Sequence, residues 1–213
     1  MARALVEEIR VKSVLNRINA PTLPFRWTIN PFRGCQHACV YCFARSTHEY
    51  LGMNVGPDFN QRIMVKVNAP EVLREELRRP GWRREFIALG TACDPYEPVE
   101  RRYQVTRRIL KVLLEAANPV GITTKGTLIK RDLDLLKELT AVARVRVNFS
   151  VGTVDQEVWK RTEPGTPNPW RRLETLQLLV ENGIAAGVMM APILPGISDS
   201  PEQLEAVVKA AAQ

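Results

Sequence analysis

The sequence predicts an α/β protein built on a parallel sheet, and three observations carry this. Short apolar runs of strand length alternate with longer stretches whose apolar residues recur at helical spacing. The connections between them are short and marked by Pro, Gly and Asn. Five strand–helix units follow one another in series, which within one sheet requires right-handed parallel crossovers. A chain of 213 residues suffices for one domain with a large core.

Residues 1–24 read as an N-terminal arm, whose apolar–polar stretch 11–15 is broken by Asn19-Ala20-Pro21. The first strand covers 25–29, where aromatic and polar residues alternate, and Asn30-Pro31 ends it. A cysteine loop, 35–42, follows at its carboxyl end, the side of a parallel sheet where active sites assemble. Residues 46–69 read as loop and short extended pieces around Gly52, Gly56 and Pro57; 63–67 has strand character but no evident place. A helix runs from Ala69-Pro70 to Arg79 with Val72, Leu73 and Leu77 on one face, stopped by Pro80-Gly81.

From there the alternation is regular. The continuous apolar run 86–90 is a buried parallel strand, followed by a helix over 100–117 that Asn118-Pro119 stops. A strand at 120–124 precedes a helix over 127–139, with Leu128, Leu135, Leu136 and Leu139 as its apolar stripe, and a strand at 145–151. A helix over 170–181 turns Leu173, Leu176, Leu179 and Val180 inward and closes at Asn182-Gly183. The fifth strand spans 184–190. The last helix opens at Ser200-Pro201-Glu202-Gln203, a capping box with proline at the first helical position.

Composition narrows the function classes. Hydrophobic content of 45% and charged content of 25% are those of a globular protein, and no apolar run approaches a membrane span. Acidic residues in Met-Ala-Arg-Ala-Leu-Val-Glu-Glu occupy the place of a signal peptide's apolar core, and closely spaced cysteines suit a reducing compartment, so the expected location is cytoplasmic with no membrane partner. The net charge is +7, and arginines occur in doublets such as Arg78-Arg79, Arg83-Arg84, Arg101-Arg102, Arg107-Arg108 and Arg171-Arg172. These form either a face that tracks nucleic-acid phosphates or ordinary solvated helix faces beside glutamates, as in Arg74-Glu75-Glu76.

The chemistry concentrates at Cys35, Cys39 and Cys42, a C-x3-C-x2-C spacing. Three thiolates on one short loop can hold three irons of a cubic [4Fe–4S] cluster, leaving the fourth iron for a substrate or cofactor. An electron carrier of the ferredoxin type completes the set with a fourth cysteine, which this loop lacks. The competing use is structural zinc, whose fourth ligand would come from His37, His48 or Cys93; no second C-x2-C or H-x3-H pair is present.

With Tyr41 just ahead of the third cysteine, this spacing resembles the motif of radical S-adenosylmethionine (SAM) enzymes. The wording Phe25-Arg26-Trp27-Thr28-Ile29-Asn30-Pro31 leading into Gly34-Cys35 resembles the branch related to spore photoproduct lyase. The resemblance implies a partial (β/α) TIM-like barrel of five to six parallel strands. Since the family core has six units, it also implies a chain that ends one strand early, by C-terminal truncation or with its edge supplied by a partner. It further implies a [4Fe–4S] cluster whose free iron chelates SAM. An electron from a reducing partner such as flavodoxin or ferredoxin would then yield a 5′-deoxyadenosyl radical.

The resemblance extends along the strand ends. Gly90-Thr91-Ala92-Cys93-Asp94-Pro95-Tyr96-Glu97-Pro98 is similar to the branch's G-T-x-T-D-P-Y-Q-P, departing at Cys93 and Glu97. It places Thr91 and Asp94 at the SAM amino group, although Asp94 could instead cap the following helix. The lyase's hydrogen-donor cysteine corresponds to Thr91; Cys93, two residues on and on the same strand face, is either a catalytic donor or a small buried residue. Lys125 and Ser150 match SAM contacts at the third and fourth strand ends, and Tyr41 in the cysteine loop is a further supporting contact. Glu163, in Arg161-Thr162-Glu163-Pro164, is a cofactor or substrate contact, or a local partner of Arg161. Ile193 and Leu194 suit the adenine ring, with Met189 and Met190 as alternatives or core packing. A lyase or repair-type reaction on nucleic acid is implied, against a non-catalytic zinc- or cluster-stabilised nucleic-acid-binding protein.

Overall fold

The computed structural model describes residues 4–212. Its strands, in chain order, are Leu5–Ile9 (β1), Asn16–Arg17 (β2), Trp27–Ile29 (β3), Phe32–Arg33 (β4), Arg62–Lys66 (β5), Ile87–Leu89 (β6), Val120–Thr124 (β7), Val145–Ser150 (β8) and Ala186–Met189 (β9). The helices are Pro57–Gln61 (α1), Ala69–Leu77 (α2), Glu100–Tyr103 (α3), Val105–Glu115 (α4), Leu133–Val142 (α5), Gln156–Thr162 (α6), Pro169–Glu181 (α7) and Pro201–Ala211 (α8). Two 3-10 segments lie at Phe43–Leu51 and Thr127–Asp132.

The larger sheet has the order β2-β3-β6-β7-β8-β9. From β3 onward all neighbours are parallel and follow chain order, with Thr28 beside Ala88 and Ala88 beside Gly121. β2 adds an antiparallel edge to β3. Five parallel strands with helical crossovers in an unclosed row make a partial TIM-like barrel. Its core is the meeting of the strand residues Ile29, Ile87, Leu89, Ile122, Val147 and Phe149 with the helix residues Ile109, Leu110, Leu113, Leu136, Leu139 and Leu179, all sealed from solvent. Each such aliphatic side chain is worth about 1.5–3 kcal/mol when removed from water. Among the described residues no helix is long and apolar enough to cross a membrane.

The strand expected at 63–67 is β5, and its place is a separate three-stranded sheet of order β1-β5-β4. β1, from the arm, runs parallel to it, with Val6 opposite Ile63. The next part of the arm is fastened by buried Glu76, whose carboxylate accepts from the Ser13 hydroxyl at 2.6 Å and the Val14 and Leu15 amides at 3.1 and 3.0 Å.

Several helices depart from the sequence expectation. The helix read over 100–117 breaks at Gln104, whose φ is 51°, because the buried Glu100 carboxylate turns onto the Thr106 and Arg107 amides and caps a new helix there. The helix over 127–139 starts as a 3-10 turn and becomes α-helical only at Leu133. The short helix α6 was not foreseen; Asp155 opens it by accepting from Glu157 and Val158 at 2.9 and 2.8 Å. Val180 does not face inward and is 50% exposed, since a residue following buried Leu179 is rotated about 100° away from it. Ser200 caps α8 as its sequence suggests, accepting from Gln203 at 3.3 Å.

Candidate functional site

Loops at the carboxyl ends of β6, β7 and β8, together with the cysteine loop after β4, surround a cavity of about 430 Å³. The cysteine loop supplies Cys35, Cys39, Tyr41 and Cys42; the end of β6 supplies Thr91, Cys93 and Asp94; Lys125 follows β7 and Ser150 ends β8. Residues scattered over more than a hundred sequence positions thus line one space, because every strand delivers its carboxyl end to the same side.

The cysteine loop is held by backbone bonds. The Cys35 amide donates to Phe59 at 2.9 Å, and Arg45 clamps the Cys39 carbonyl through two nitrogens at 3.1 and 3.0 Å. Gly34 has φ of 81°, and a Cβ there would come within 2.7 Å of the Arg62 carbonyl oxygen, so only glycine fits. From the other side, the Val40 amide donates to Thr162 and the Gly165 amide to His37, which stitches the Pro-rich loop 161–169 onto the cysteines.

All three thiols are free, Cys35 and Cys39 buried and Cys42 half-buried. Among the described residues no three His, Cys, Asp or Glu groups converge at the spacing of a single bound metal ion. Ligands of a cubic cluster stand farther apart, since each takes a different iron, and three soft thiol donors on one cavity wall fit such a group. Burial pushes the Cys35 thiol well up, with Glu97 and Asp94 adding to it, and burial raises Cys39 to about 12, so metal loading displaces protons here. Of the three candidates for a fourth zinc ligand, His48 lies off the cavity, buried against Phe59 with ring centroids 5.1 Å apart.

Asp94 is the hub of the β6–β7 side. One carboxylate oxygen accepts from the Thr124 hydroxyl at 2.6 Å and the Tyr96 amide at 2.8 Å; the other accepts from the Lys125 amide at 2.6 Å and faces His37 Nδ1 at 3.2 Å. Both oxygens are therefore filled by protein donors. Burial pushes this carboxyl up, but His37 and the hydrogen bonds override it and bring it down to about 2. A depressed carboxylate contributes stability above its unfolded value of 3.8 and loses that contribution as pH falls through about 2. Asp94→Asn is expected to cost about 1–3 kcal/mol at neutral pH. It should also flatten the acid denaturation profile between those two values, a comparison made by circular dichroism.

A second hub joins β7, β8 and α7. The Lys125 ammonium donates to the Ser150 hydroxyl and lies 3.6 Å from Glu163, to which the Tyr41 hydroxyl also donates. Glu163 does not pair with Arg161: its partner is Arg172, fully buried and 2.5 Å away. Burial pushes the Glu163 carboxyl up, while Lys125 and Arg172 hold it below the usual range.

The expected adenine contacts are placed differently. β9 ends at Met189 and the chain turns outward after Pro192, so Met189, Ala191 and Pro192 line the cavity; Ile193 does not, and is 46% exposed. Leu194 is likewise outside the lining. Sequence reasoning missed Asn30, read only as a strand end: its side chain accepts from the Ala92 amide at 2.7 Å and reaches Thr91, fixing the turn that presents Cys93. It also missed Arg172, read as half of a surface doublet. The signal was there, since Arg172 stands four and seven residues before the inward Leu176 and Leu179.

Comparison with known proteins agrees with the fold. The family model of the radical SAM superfamily matches residues 29–209. An uncharacterized protein of Mycobacterium tuberculosis, Rv2578c, is 48% identical over 199 residues, covering 93% of this chain and 58% of its own length, so the chain spans less than two thirds of that relative. Among solved structures, spore photoproduct lyase complexed with dinucleoside spore photoproduct superposes with a TM-score of 0.72 at 16% identity, over 96% of this chain and 57% of the lyase. A lyase mutant with bound AdoMet and dinucleoside spore photoproduct gives 0.68 at 18% identity, over 97% of this chain and 57% of that one. At such identities these two likenesses establish the fold, while the family match rests on the sequence itself. The chain belongs to the radical SAM superfamily.

Proposed function

We propose that this protein binds a [4Fe–4S] cluster through Cys35, Cys39 and Cys42, binds SAM beside it, and directs the resulting radical onto a nucleic acid in a lyase or repair-type reaction. The observation that carries the reading is the convergence of three free thiols with the Lys125 ammonium and the Ser150 hydroxyl on one cavity. When bound, the cluster supplies the electron that splits SAM into methionine and a 5′-deoxyadenosyl radical.

The chain's own residues bind and orient. Lys125 offers a cation to the carboxylate of SAM, and Ser150 fixes its position. Arg172 neutralises Glu163, so that this carboxylate can steady Lys125 and Tyr41 without cancelling the charge the ligand needs. Thr91 lines the wall assigned to the amino group, and Asp94 serves there by holding the Lys125 backbone. The apolar wall of Met189, Ala191 and Pro192 takes the adenine, with Ile193 and Leu194 beyond its rim.

Cys93 is the proposed hydrogen donor. Burial and the nearby Glu97 push its thiol far up, which keeps the S–H bond that a donor must have. Its hydrogen atom would pass to a substrate carbon radical, leaving a thiyl radical that one electron from the reducing partner, such as a flavodoxin or ferredoxin, and one proton from solvent would restore to the thiol. Four free cysteines suit the reducing cytoplasm this requires.

The test is anaerobic reconstitution with iron and sulfide, reduction, addition of SAM, and chromatography for 5′-deoxyadenosine. The product should form with the wild-type chain and fall to background in Cys35→Ala. Tight, stoichiometric zinc binding without the product would overturn the reading.

A further inference from the structure

A second cavity, of about 700 Å³, lies beside the first and shares His37 with it. Its walls are the segments following β6, β7 and α6, so it opens on the same side of the sheet. The lining holds Arg101, Lys130 and Arg131 and no carboxylate. Arg131 is already neutralised, 2.7 Å from Glu100 and 2.8 Å from Asp132, and acts as a stiff wall. Arg101 and Lys130 are exposed, and among the described residues neither enters an ion pair.

The walls are tightly built. A Cβ on Gly126 would come within 2.5 Å of the Tyr96 carbonyl oxygen, and one on Gly165 within 2.2 Å of that of Gln36, in the cysteine loop itself. The second cavity is therefore bounded by the same loop that carries the thiols. Its volume is that of a small-ligand site, of the order of 300–1,000 Å³.

Two uncompensated cations on a concave wall free of carboxylates select an anion. A phosphodiester fits, because Arg and Lys contact phosphate oxygens without reading bases and so fix the register of a strand. We propose that this cavity holds a backbone phosphodiester of a single-stranded substrate, placing an adjoining nucleotide at the cysteine-lined cavity. The proposal rests on the nucleic-acid reading above and specifies where the strand is gripped.

The experiment measures binding of a short single-stranded oligonucleotide to the cluster-loaded protein by fluorescence anisotropy over a range of salt. Loss of two phosphate contacts in Arg101→Gln/Lys130→Gln should lower the slope of log affinity against log salt by about 1.4, at roughly 0.7 per contact. The control Arg79→Gln/Arg83→Gln alters equally exposed arginines near the amino end of β6, across the sheet, and should leave the slope unchanged. An unchanged slope in the first variant, or an equal fall in the control, overturns the assignment. So does a wild-type protein that binds inorganic phosphate through these residues but no oligonucleotide. Formation of 5′-deoxyadenosine by the wild-type protein without oligonucleotide is measured alongside: its absence defeats the proposed enzyme class, whereas the slopes judge only the phosphate site.

Discussion

Replacing Lys125 with methionine is expected to weaken SAM binding by about 30-fold or more while leaving the fold intact. The magnitude follows from truncating one partner of a hydrogen-bonded charge pair shielded from water, about 2–5 kcal/mol. The fold should survive because Glu163, the carboxylate left behind, keeps Arg172 at 2.5 Å and the Tyr41 hydroxyl as partners. Ser150 likewise keeps its bond to the Ala191 carbonyl at 2.8 Å. Equilibrium dialysis of SAM against the cluster-loaded variant, beside a thermal unfolding curve, separates the two effects. Affinity within twofold of wild type would remove Lys125 from the proposed site, and a collapsed melting curve would make it a structural residue.

The parts of this molecule that the sequence made legible are those whose signal is local. Five strands of the larger sheet are short apolar or alternating runs bounded by breakers, and the site residues at their carboxyl ends come together because parallel topology leaves no other side for them. What was not legible depends on distant partners. The strand at Arg62–Lys66 has no meaning until Leu5–Ile9 pairs with it. The break at Gln104 is invisible without the side chain of Glu100 folding onto the next turn. Ile193 and Leu194 follow the strand that ends at Met189, and the cavity lining stops at Pro192, a boundary that strand period alone does not mark. Charge was the least legible quantity. Of the arginine doublets, Arg107 is spent on Asp132 and Asp134, Arg108 on Glu71, and Arg172 lies wholly inside.

That buried arginine should be the costliest polar residue to lose. Arg172→Leu is expected to destabilise the protein by about 3–5 kcal/mol, the usual result of removing one partner of a buried ion pair. Its guanidinium donates to the Pro167 carbonyl at 2.8 Å and the Ser150 carbonyl at 2.9 Å, as well as to Thr166 and Glu163. One side chain therefore ties the end of β8 to the loop that closes on the cysteines. Without it, Glu163 keeps Lys125, the Tyr41 hydroxyl and a long bond from the Thr166 hydroxyl at 3.4 Å, and Lys125 is drawn toward Glu163 and away from the cavity. Arg172→Lys retains the charge but not the planar fork that serves four acceptors at once, so it should recover only part of the loss. Urea unfolding gives the stability. SAM affinity measured well below the unfolding transition then tests position: weakened binding in a still-folded Arg172→Lys marks Arg172 as the residue that orients Lys125, and unaltered binding confines it to holding the loop.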